Sequence, residues 1–459
     1  MPKPLADEGS LTASSASPRP RRRTPGRIAW LLGPALVAGV AYLDPGNVAS
    51  NMTAGARYGY LLVWVVVIGN VMAWLIQYLS AKLGIVTGLS LPEVLGRRFR
   101  HRWTRRAYWV QAELVAMATD IAEVIGGAVA LWLLFGVPLL WGGVITGAVS
   151  IVLLLIQSRR GARSFEFVII GLVAIISLGF TYGVFIAPPD AGATIDGLVP
   201  RFDGADSVLL AASILGATIM PHAIYAHSAL ARDRFRTPVS RIRPRRRALD
   251  DTDTHSTDKL HIRRRGYALG GATEFSTGRL LRATKWDVTI AMAIAGTVNL
   301  CILLLAAANL AGVPGTDSLE GAYAALESGL GPLVATLFAV GLLASGLAST
   351  SVGAYAGAEI MHGLLTVRVP LLARRLVTLV PALVILAIGF DPTLALVLSQ
   401  VVLSFGIPFA LVPLVALTAR GDVLGAHRNR VWTTAAGIVA SVFLITLNAL
   451  LLWLVFTGG

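Results

Sequence analysis

Apolar runs of about 20 residues alternate with short polar segments along the chain. A run of this length crosses a hydrocarbon core about 30 Å thick when it is helical. Eleven predicted spans share this pattern: residues 28–56, 60–84, 107–131, 139–157, 165–187, 207–230, 285–310, 331–363, 375–389, 393–419 and 432–456. The hydrophobic pattern therefore predicts an all-α integral membrane protein that contacts the lipid bilayer.

Composition agrees with this prediction. Of the 459 residues, 55% are hydrophobic and 14% are charged, whereas soluble domains carry about 25% charged residues. The net charge of +14 does not indicate nucleic acid, because the basic residues lie in the gaps between the apolar runs. Cys301 is the single cysteine, which excludes a disulfide framework and a cysteine metal cluster. No sequence feature indicates an obligatory protein partner.

Arginines also indicate the topology. Residues 1–27 are polar and arginine-rich, which predicts a disordered cytoplasmic tail. Successive gaps between the predicted spans lie on alternate sides of the membrane. The gaps on one side are rich in arginine, whereas the gaps on the other side contain only two basic residues, Arg57 and Arg201. Because cytoplasmic loops carry the positive excess, we predict a cytoplasmic N-terminus, an outside C-terminus and a location in the cell membrane. The basic loop 231–284 is then cytoplasmic, with a topology-setting role favoured over an anionic lipid or partner site.

Two of the predicted spans are interrupted. In the first, Asp44 lies inside an apolar stretch and is followed by Pro45, Gly46 and Asn47. A carboxylate at that depth costs at least roughly 2.5 kcal/mol unless it is paired or hydrated. In the sixth, Met220 precedes Pro221 and His222. Since proline cannot donate a backbone hydrogen bond, we expect both helices to unwind and leave carbonyls without partners.

The two interrupted spans lie five helices apart. An odd number of helices per unit inverts the second unit relative to the first. We therefore predict a first inverted repeat over 28–187 (spans 1–5), a second over 207–419 (spans 6–10) and an eleventh helix over 432–456. Interrupted helices at matching positions of two inverted repeats are the best sequence pointer to a transporter's binding site.

The candidate ligands form a mixed set. One carboxylate, one amide oxygen, backbone carbonyls near Ala41 and Ala217, and the Met220 thioether combine hard and soft donors. Calcium and magnesium prefer shells made of oxygen alone. A thioether shifts the preference toward manganese, iron and softer ions. The ligand set therefore predicts a site for divalent transition metals.

Together the two motifs resemble the NRAMP family of divalent metal transporters, in particular its bacterial, MntH-like, proton-coupled manganese and iron transporters. The resemblance runs from about residue 28 to 456. It implies a LeuT-like fold of two inverted five-helix repeats plus an eleventh helix, with helices 1 and 6 broken. It also implies a secondary active transporter that works by alternating access, and not an enzyme. Its principal cargo would be Mn²⁺, with Fe²⁺, Cd²⁺ and Co²⁺ also transported. Transport would be coupled to proton symport and would need no cofactor.

The resemblance further implies which groups bind the ion. These are the side chains of Asp44, Asn47 and Met220 and the carbonyl of Ala217. The Ala41 carbonyl joins them in some states, and Gln400 approaches the ion when the site closes.

The third predicted span carries Glu113, Asp120 and Glu123, whose offsets of seven and three place them on one helical face. Such a stripe is either an ion-pair network or a proton path. The resemblance, through Thr119-Asp120-Ile121-Ala122-Glu123, supports the proton path and implies that Arg374 and Arg375 pair with these carboxylates. We expect a proton or gating role for His222 and a less defined one for His227. Our hypothesis is that Asp44 both binds metal and accepts the proton, which Asp120 relays inward.

Three alternatives remain open. A sodium-coupled amino-acid transporter of the same architecture would favour a glycine-rich break in span 1 and would not need Asp44 or Met220. A membrane enzyme that uses a metal to activate water would need a general base and an open metal position. A magnesium-selective or metal-independent relative is expected to lack the methionine.

Overall fold

A computed structural model describes residues 33–160, 162–235, 276–365 and 371–457. Within these ranges the regular structure is helical throughout, with no strand. The predicted tail 1–27 and the middle of the predicted 231–284 loop lie outside the described residues.

Eight helices form the first half of the described chain. They are α1 Pro34–Gly39, α2 Pro45–Tyr58, α3 Val63–Thr87, α4 Leu91–Arg98, α5 Arg102–Phe135, α6 Leu139–Arg160, α7 Ala162–Ile186 and α8 Ala191–Asp196. A short 3₁₀ turn, Val40–Leu43, follows α1.

Nine helices form the second half. They are α9 Gly204–Thr218, α10 Pro221–Phe235, α11 Thr277–Asn309, α12 Leu319–Leu330, α13 Pro332–Leu365, α14 Leu371–Ala387, α15 Pro392–Ala419, α16 Gly421–Leu424 and α17 Val431–Thr457.

Within the described residues, every predicted span overlaps one helix or a broken pair of helices. The pairs are α1 with α2, and α9 with α10. The predicted loop 231–284 is shorter than expected, because α10 continues to Phe235 and α11 begins at Thr277. The polar residues Arg232 and Arg282 led to the prediction of loop at these helix ends, but a helix can extend beyond its apolar run into the aqueous phase.

Seven helices of the described chain, counting α9–α10 as one, are long and apolar enough to cross a membrane: α3, α5, α9–α10, α11, α13, α15 and α17. Three shorter apolar helices cover Pro34–Leu43, Leu139–Leu153 and Ile170–Ile186. Of the most apolar stretch of α9–α10, 94% is buried, against 33% for α17. The second broken helix is therefore central, and the last helix is peripheral.

Short helices that the hydrophobic pattern did not predict join the spans at their ends. α4 begins with a capping box, in which the Ser90 side chain and the Glu93 side chain accept from each other's backbone N–H groups. α8 and α12 are capped by Asp190 and Ser318. These caps stabilise helices that are too short or too polar to appear as apolar runs.

Ion pairs mark two opposite ends of the helical bundle. At one end, Arg232 contacts Glu93 at 2.6 Å and Glu359 at 3.1 Å. At the other end, where α2 finishes and α9 starts, Arg57 contacts Asp317 at 2.9 Å and Asp206 at 3.7 Å. Between the two ends lie both helix breaks.

Candidate metal site

The first break lies between the 3₁₀ turn and α2. Asp44 has an extended backbone, with φ −72° and ψ 163°, and its carboxylate caps α2 by accepting from the Asn47 N–H at 2.8 Å. Pro45 occupies the first position of α2, where its missing N–H does no harm. The same proline leaves the Ala41 carbonyl, four residues earlier, without its helical donor. The predicted break in the first helix is confirmed.

The second break repeats this arrangement. α9 ends at Thr218, Ile219 leaves the helical region with φ −120° and ψ 51°, and α10 starts at Pro221. Pro221 removes the helical donor of the Ala217 carbonyl, just as Pro45 does for Ala41. Met220 lies in the gap between the two helices, with its side chain fully buried. The predicted break in the sixth span is confirmed as well.

Gln400 on α15 contacts the first break and the last turn of α9. Its side-chain amide donates to the second carboxylate oxygen of Asp44 at 3.0 Å. Its backbone carbonyl oxygen lies so close to Gly216 that a Cβ on this glycine would overlap it. Ser50 and Ser213, whose hydroxyl groups are 2.6 Å apart, join α2 directly to α9. The structure therefore brings the helices that carry the predicted metal residues together at one level.

All six predicted metal residues are fully buried: Ala41, Asp44, Asn47, Ala217, Met220 and Gln400. The Asp44 carboxylate accepts from one backbone amide and one side-chain amide, and no described Lys, Arg or His lies within 4 Å of it. The Oε1 atom of Gln400 is also buried and has no partner among the described residues. Such a group of uncompensated oxygen acceptors favours a cation.

The described residues hold no cluster of three or more His, Cys, Asp and Glu side chains suited to a metal ion. A zinc site of the structural type needs four such ligands. The chemistry available at the breaks is instead one carboxylate, amide oxygens, backbone carbonyls and a thioether.

Sequence reasoning missed several polar groups around the first break. Asn51 donates its side-chain amide to the Asn47 carbonyl at 2.9 Å and to the Asn47 side-chain oxygen. The Tyr42 carbonyl accepts from the side chains of Asn47 and Asn299, and the Leu43 carbonyl accepts from Ser345. Asn51 follows Asn47 by one helical turn, so its role was visible in the spacing. Asn299 and Ser345 come from distant spans, and no local pattern identifies them.

The stripe on α5 meets two arginines of α14. Arg375 lies 2.7 Å from Asp120 and 3.2 Å from Glu123, and Arg374 lies 2.8 Å from Glu113 and 3.4 Å from Asp120. All five side chains are largely or fully buried. The Arg375 guanidinium also donates to the hydroxyl groups of Ser150 and Thr350.

This ionic group adjoins the first break through α5. A Cβ on Gly126, three residues after Glu123, would overlap the Pro45 ring. The imidazole of His222 lies 3.1 Å from the Thr119 hydroxyl, next to Asp120 in sequence. His227 instead contacts Gln77 at 2.7 Å, and Gln77 donates to the Tyr42 hydroxyl. α5 thus borders both breaks, and the two histidines of α10 have different surroundings.

Comparison with known proteins agrees with this architecture. The family model described as natural resistance-associated macrophage protein-like (Nramp) matches residues 35–454. The divalent metal cation transporter MntH of Mycobacterium tuberculosis H37Rv is 56% identical over 437 residues, which cover 95% of this chain and 94% of that protein.

Solved structures give the same result. The manganese transporter of Eremococcus coleocola, in complex with an aromatic bis-isothiourea substituted compound, has a TM-score of 0.75 and 30% identity, covering 96% of this chain and 90% of that one. MhsT in complex with L-phenylalanine has a TM-score of 0.55 at 13% identity, covering 93% and 100%. The second likeness shows the fold alone. The predicted LeuT-like fold, with its first and sixth helices broken, is confirmed.

Proposed function

Since the chain belongs to the natural resistance-associated macrophage protein-like family, we propose that it imports divalent transition-metal cations by proton symport and alternating access. Manganese is the principal cargo and iron(II) a second one, with cadmium and cobalt also accepted. The protein acts as a transporter and not as an enzyme. The similarity to proteins named divalent metal cation transporter and manganese transporter supports this proposal.

One observation carries the proposal. Asp44 is a fully buried carboxylate with no described cationic partner, and it lies where two broken helices and Gln400 meet. An isolated charge at this depth costs free energy, so an ionisable side chain inside the membrane indicates a functional site. A divalent cation supplies the missing positive charge, and a proton supplies it when the cation is absent.

Each proposed ligand has a separate task. Asp44 contributes charge, Asn47 contributes a neutral oxygen, and the Ala217 carbonyl contributes a second one. Ala41 joins in some states, and Gln400 closes the site. Met220 contributes the soft donor that favours manganese and iron over calcium and magnesium, which prefer oxygen.

The proton takes a separate route through α5. Three carboxylates, Glu113, Asp120 and Glu123, share two guanidinium groups, so one carboxylate is left over. That excess carboxylate can hold a proton without leaving the group positively charged. We infer that Asp44 releases its proton as the metal binds, and that His222 and Asp120 pass it toward the cytoplasm. Inward movement of charge is favourable by about 2.3 kcal/mol per charge per 100 mV.

The proposed orientation follows the arginines. With the N-terminus in the cytoplasm of the cell, the end that carries Arg232 faces inside and the end that carries Arg57 faces outside. Residues 28–187 and 207–419 then form the two inverted repeats, residues 1–27 the cytoplasmic tail, and residues 432–456 the eleventh helix.

The test is uptake by the purified protein in proteoliposomes that contain a metal-sensitive dye and a pH-sensitive dye. We expect manganese uptake that ferrous iron inhibits and that excess magnesium or calcium does not. An inward proton gradient should accelerate uptake, and the internal pH should fall as manganese enters. Equal inhibition by magnesium, or sodium-dependent uptake of an amino acid in place of metal, would contradict the proposal.

Replacing Met220 with alanine tests the soft ligand. We expect manganese uptake to become about tenfold more sensitive to magnesium and calcium, because the donor that discriminates against them is gone. Met72→Ala on α3 is the matched control, since it removes another buried methionine with a similar loss of packing. The ligand assignment fails if Met220→Ala retains wild-type selectivity, or if Met72→Ala loses selectivity to the same extent.

Asn51 is expected to orient the Asn47 amide. In the Asn51→Leu variant the KM for manganese should rise about fivefold, the loss expected for one hydrogen bond of about 1 kcal/mol, while the maximal rate stays near wild type. Asn448→Leu is the control, because Asn448 is a buried asparagine that bonds to Ser404 on α15. A KM change of the same size in both variants would mean that Asn51 has a general structural role.

A further inference from the structure

A crevice between the end of α15 and the start of α17 has features of a second binding site. Its volume is about 870 Å³. Arg428, Asn429 and Arg430 line one part of it, and Trp432, Thr434 and Ile438 line another. In the proposed orientation this crevice lies at the cytoplasmic surface of the membrane.

The polar part of the crevice is positively charged. Arg428 and Arg430 are exposed, and no described carboxylate lies within 4 Å of either guanidinium. Asp422 is engaged elsewhere, at 2.9 Å from Arg420 and 3.6 Å from Arg98. The hydrogen bond from Arg420 holds the pKa of Asp422 below its usual value, so this carboxylate stays ionised in that pairing.

A third cation lies behind the crevice wall. Lys82 of α3 is 7% exposed, and its ammonium group donates to the side-chain oxygen of Asn429 at 2.8 Å. Among the described residues no carboxylate pairs with Lys82. Asn429, itself buried, is held by Thr418 on its other side. Two positive charges therefore line the recess and a third lies behind its wall, without a described counter-ion.

The other part of the crevice is apolar and unusually exposed. Val431, Trp432 and Ile438 are 83%, 86% and 52% exposed. Val431, Thr434 and Ile438 are three and four residues apart, so they share one face of α17. Tryptophan is enriched at the level of the lipid headgroups, and aliphatic side chains beyond it contact acyl chains. The crevice thus combines a cationic recess with an apolar strip that runs toward the bilayer core.

We propose that this crevice binds an anionic glycerophospholipid, with the phosphodiester between Arg428 and Arg430 and an acyl chain along the Val431–Ile438 face. Guanidinium groups suit a phosphate because they donate paired hydrogen bonds. The arginine-rich segments of this chain, such as 19–27 and 245–247, carry the same charge as the recess and are repelled by it. A free phosphate would leave the apolar face without a partner.

Native mass spectrometry of the full-length protein in detergent tests the proposal by titration with phosphatidylglycerol and phosphatidylcholine that carry identical acyl chains. We expect the first phosphatidylglycerol to bind about 25-fold more tightly than phosphatidylcholine. In the Arg428→Gln/Arg430→Gln variant this preference should disappear, since each arginine near a lipid surface contributes about fivefold in affinity. Arg97→Gln/Arg100→Gln is the matched control, because it removes two exposed arginines from α4 and the adjoining residues on the same side of the membrane.

The outcomes separate the possible occupants. Loss of the preference in the 428/430 variant, with the 97/100 variant unchanged, supports the proposal. A preference that survives in the 428/430 variant, or that is absent from the wild type, overturns it. Displacement of the bound lipid by inorganic phosphate at a concentration equal to that of the lipid also overturns it, because the apolar contact would then contribute nothing. Melting temperatures near wild type for both variants exclude loss of folding, and the readout does not depend on transport.

Discussion

Replacing Asp44 with asparagine is expected to lower manganese uptake by roughly a hundredfold, which corresponds to about 2.7 kcal/mol, without destabilising the protein. Asparagine keeps the shape of the residue but removes the charge that offsets the desolvation of a divalent cation. The buried carboxylate of Asp44 has no described cationic partner, so its removal relieves the cost of an isolated charge. We therefore expect a melting temperature equal to or above that of the wild type.

A loss of uptake with an unchanged or raised melting temperature would show that Asp44 is needed for transport and not for folding. Uptake and internal pH are measured together in proteoliposomes, and thermal unfolding is measured in detergent. Asp190→Asn is the matched control, since Asp190 is an exposed cap of α8 and asparagine is also a good cap. Wild-type metal and proton fluxes in Asp44→Asn would contradict both proposed roles of Asp44. A large fall in melting temperature would show that the carboxylate stabilises the fold.

Replacing Arg375 with glutamine is expected to destabilise the protein by about 3 to 5 kcal/mol, the usual cost of breaking a buried ion pair from one side. Arg375 is 1% exposed, and its removal leaves Asp120 and Glu123 without their shared guanidinium. Denaturant unfolding in detergent measures the change. The exposed Arg100→Gln serves as the control, with an expected change within about 0.5 kcal/mol.

A second substitution tests whether charge is the cause. If Arg375→Gln acts by leaving an excess of negative charge, then Glu123→Gln in the same chain should restore a large part of the lost stability. The two changes should be far from additive, because the residues are in direct contact. Additive destabilisation in the double variant would mean that Arg375 stabilises the fold through packing and its bonds to Ser150 and Thr350 instead.

Local chemistry made much of the fold predictable. Spans of about 20 apolar residues must be helical in lipid, so their number and order follow from hydropathy. Pro45 and Pro221 each remove a hydrogen-bond donor inside an apolar run. Pro381, Pro408 and Pro413 do the same inside continuous helices, so the polar residues beside Pro45 and Pro221 were needed to predict the two breaks. The seven- and three-residue offsets of Glu113, Asp120 and Glu123 placed these acids on one face of α5.

Contacts between distant segments were not predictable in this way. The Asp44 carboxylate meets the Gln400 amide across 356 positions of the chain, and Asn299 reaches the Tyr42 carbonyl across 257. Such contacts depend on how the helices pack, and hydropathy carries no information on packing direction. Hydropathy did not predict α4, α8 and α12 at the ends of the spans for a different reason. Their capping residues stabilise them, and they contain no long apolar run.

The absence of a side chain at Gly216 affects how the molecule can move. It allows the backbones of α9 and α15 to touch at Gln400, and one turn earlier Ser213 donates to the Val397 carbonyl at 3.0 Å. We expect two helices in such contact to move together, since sliding would break the Ser213 hydrogen bond and disrupt the close packing at Gly216. Gln400 is therefore expected to keep its position relative to α9, with the non-helical backbone at Ile219 as the point where α10 changes direction relative to α9.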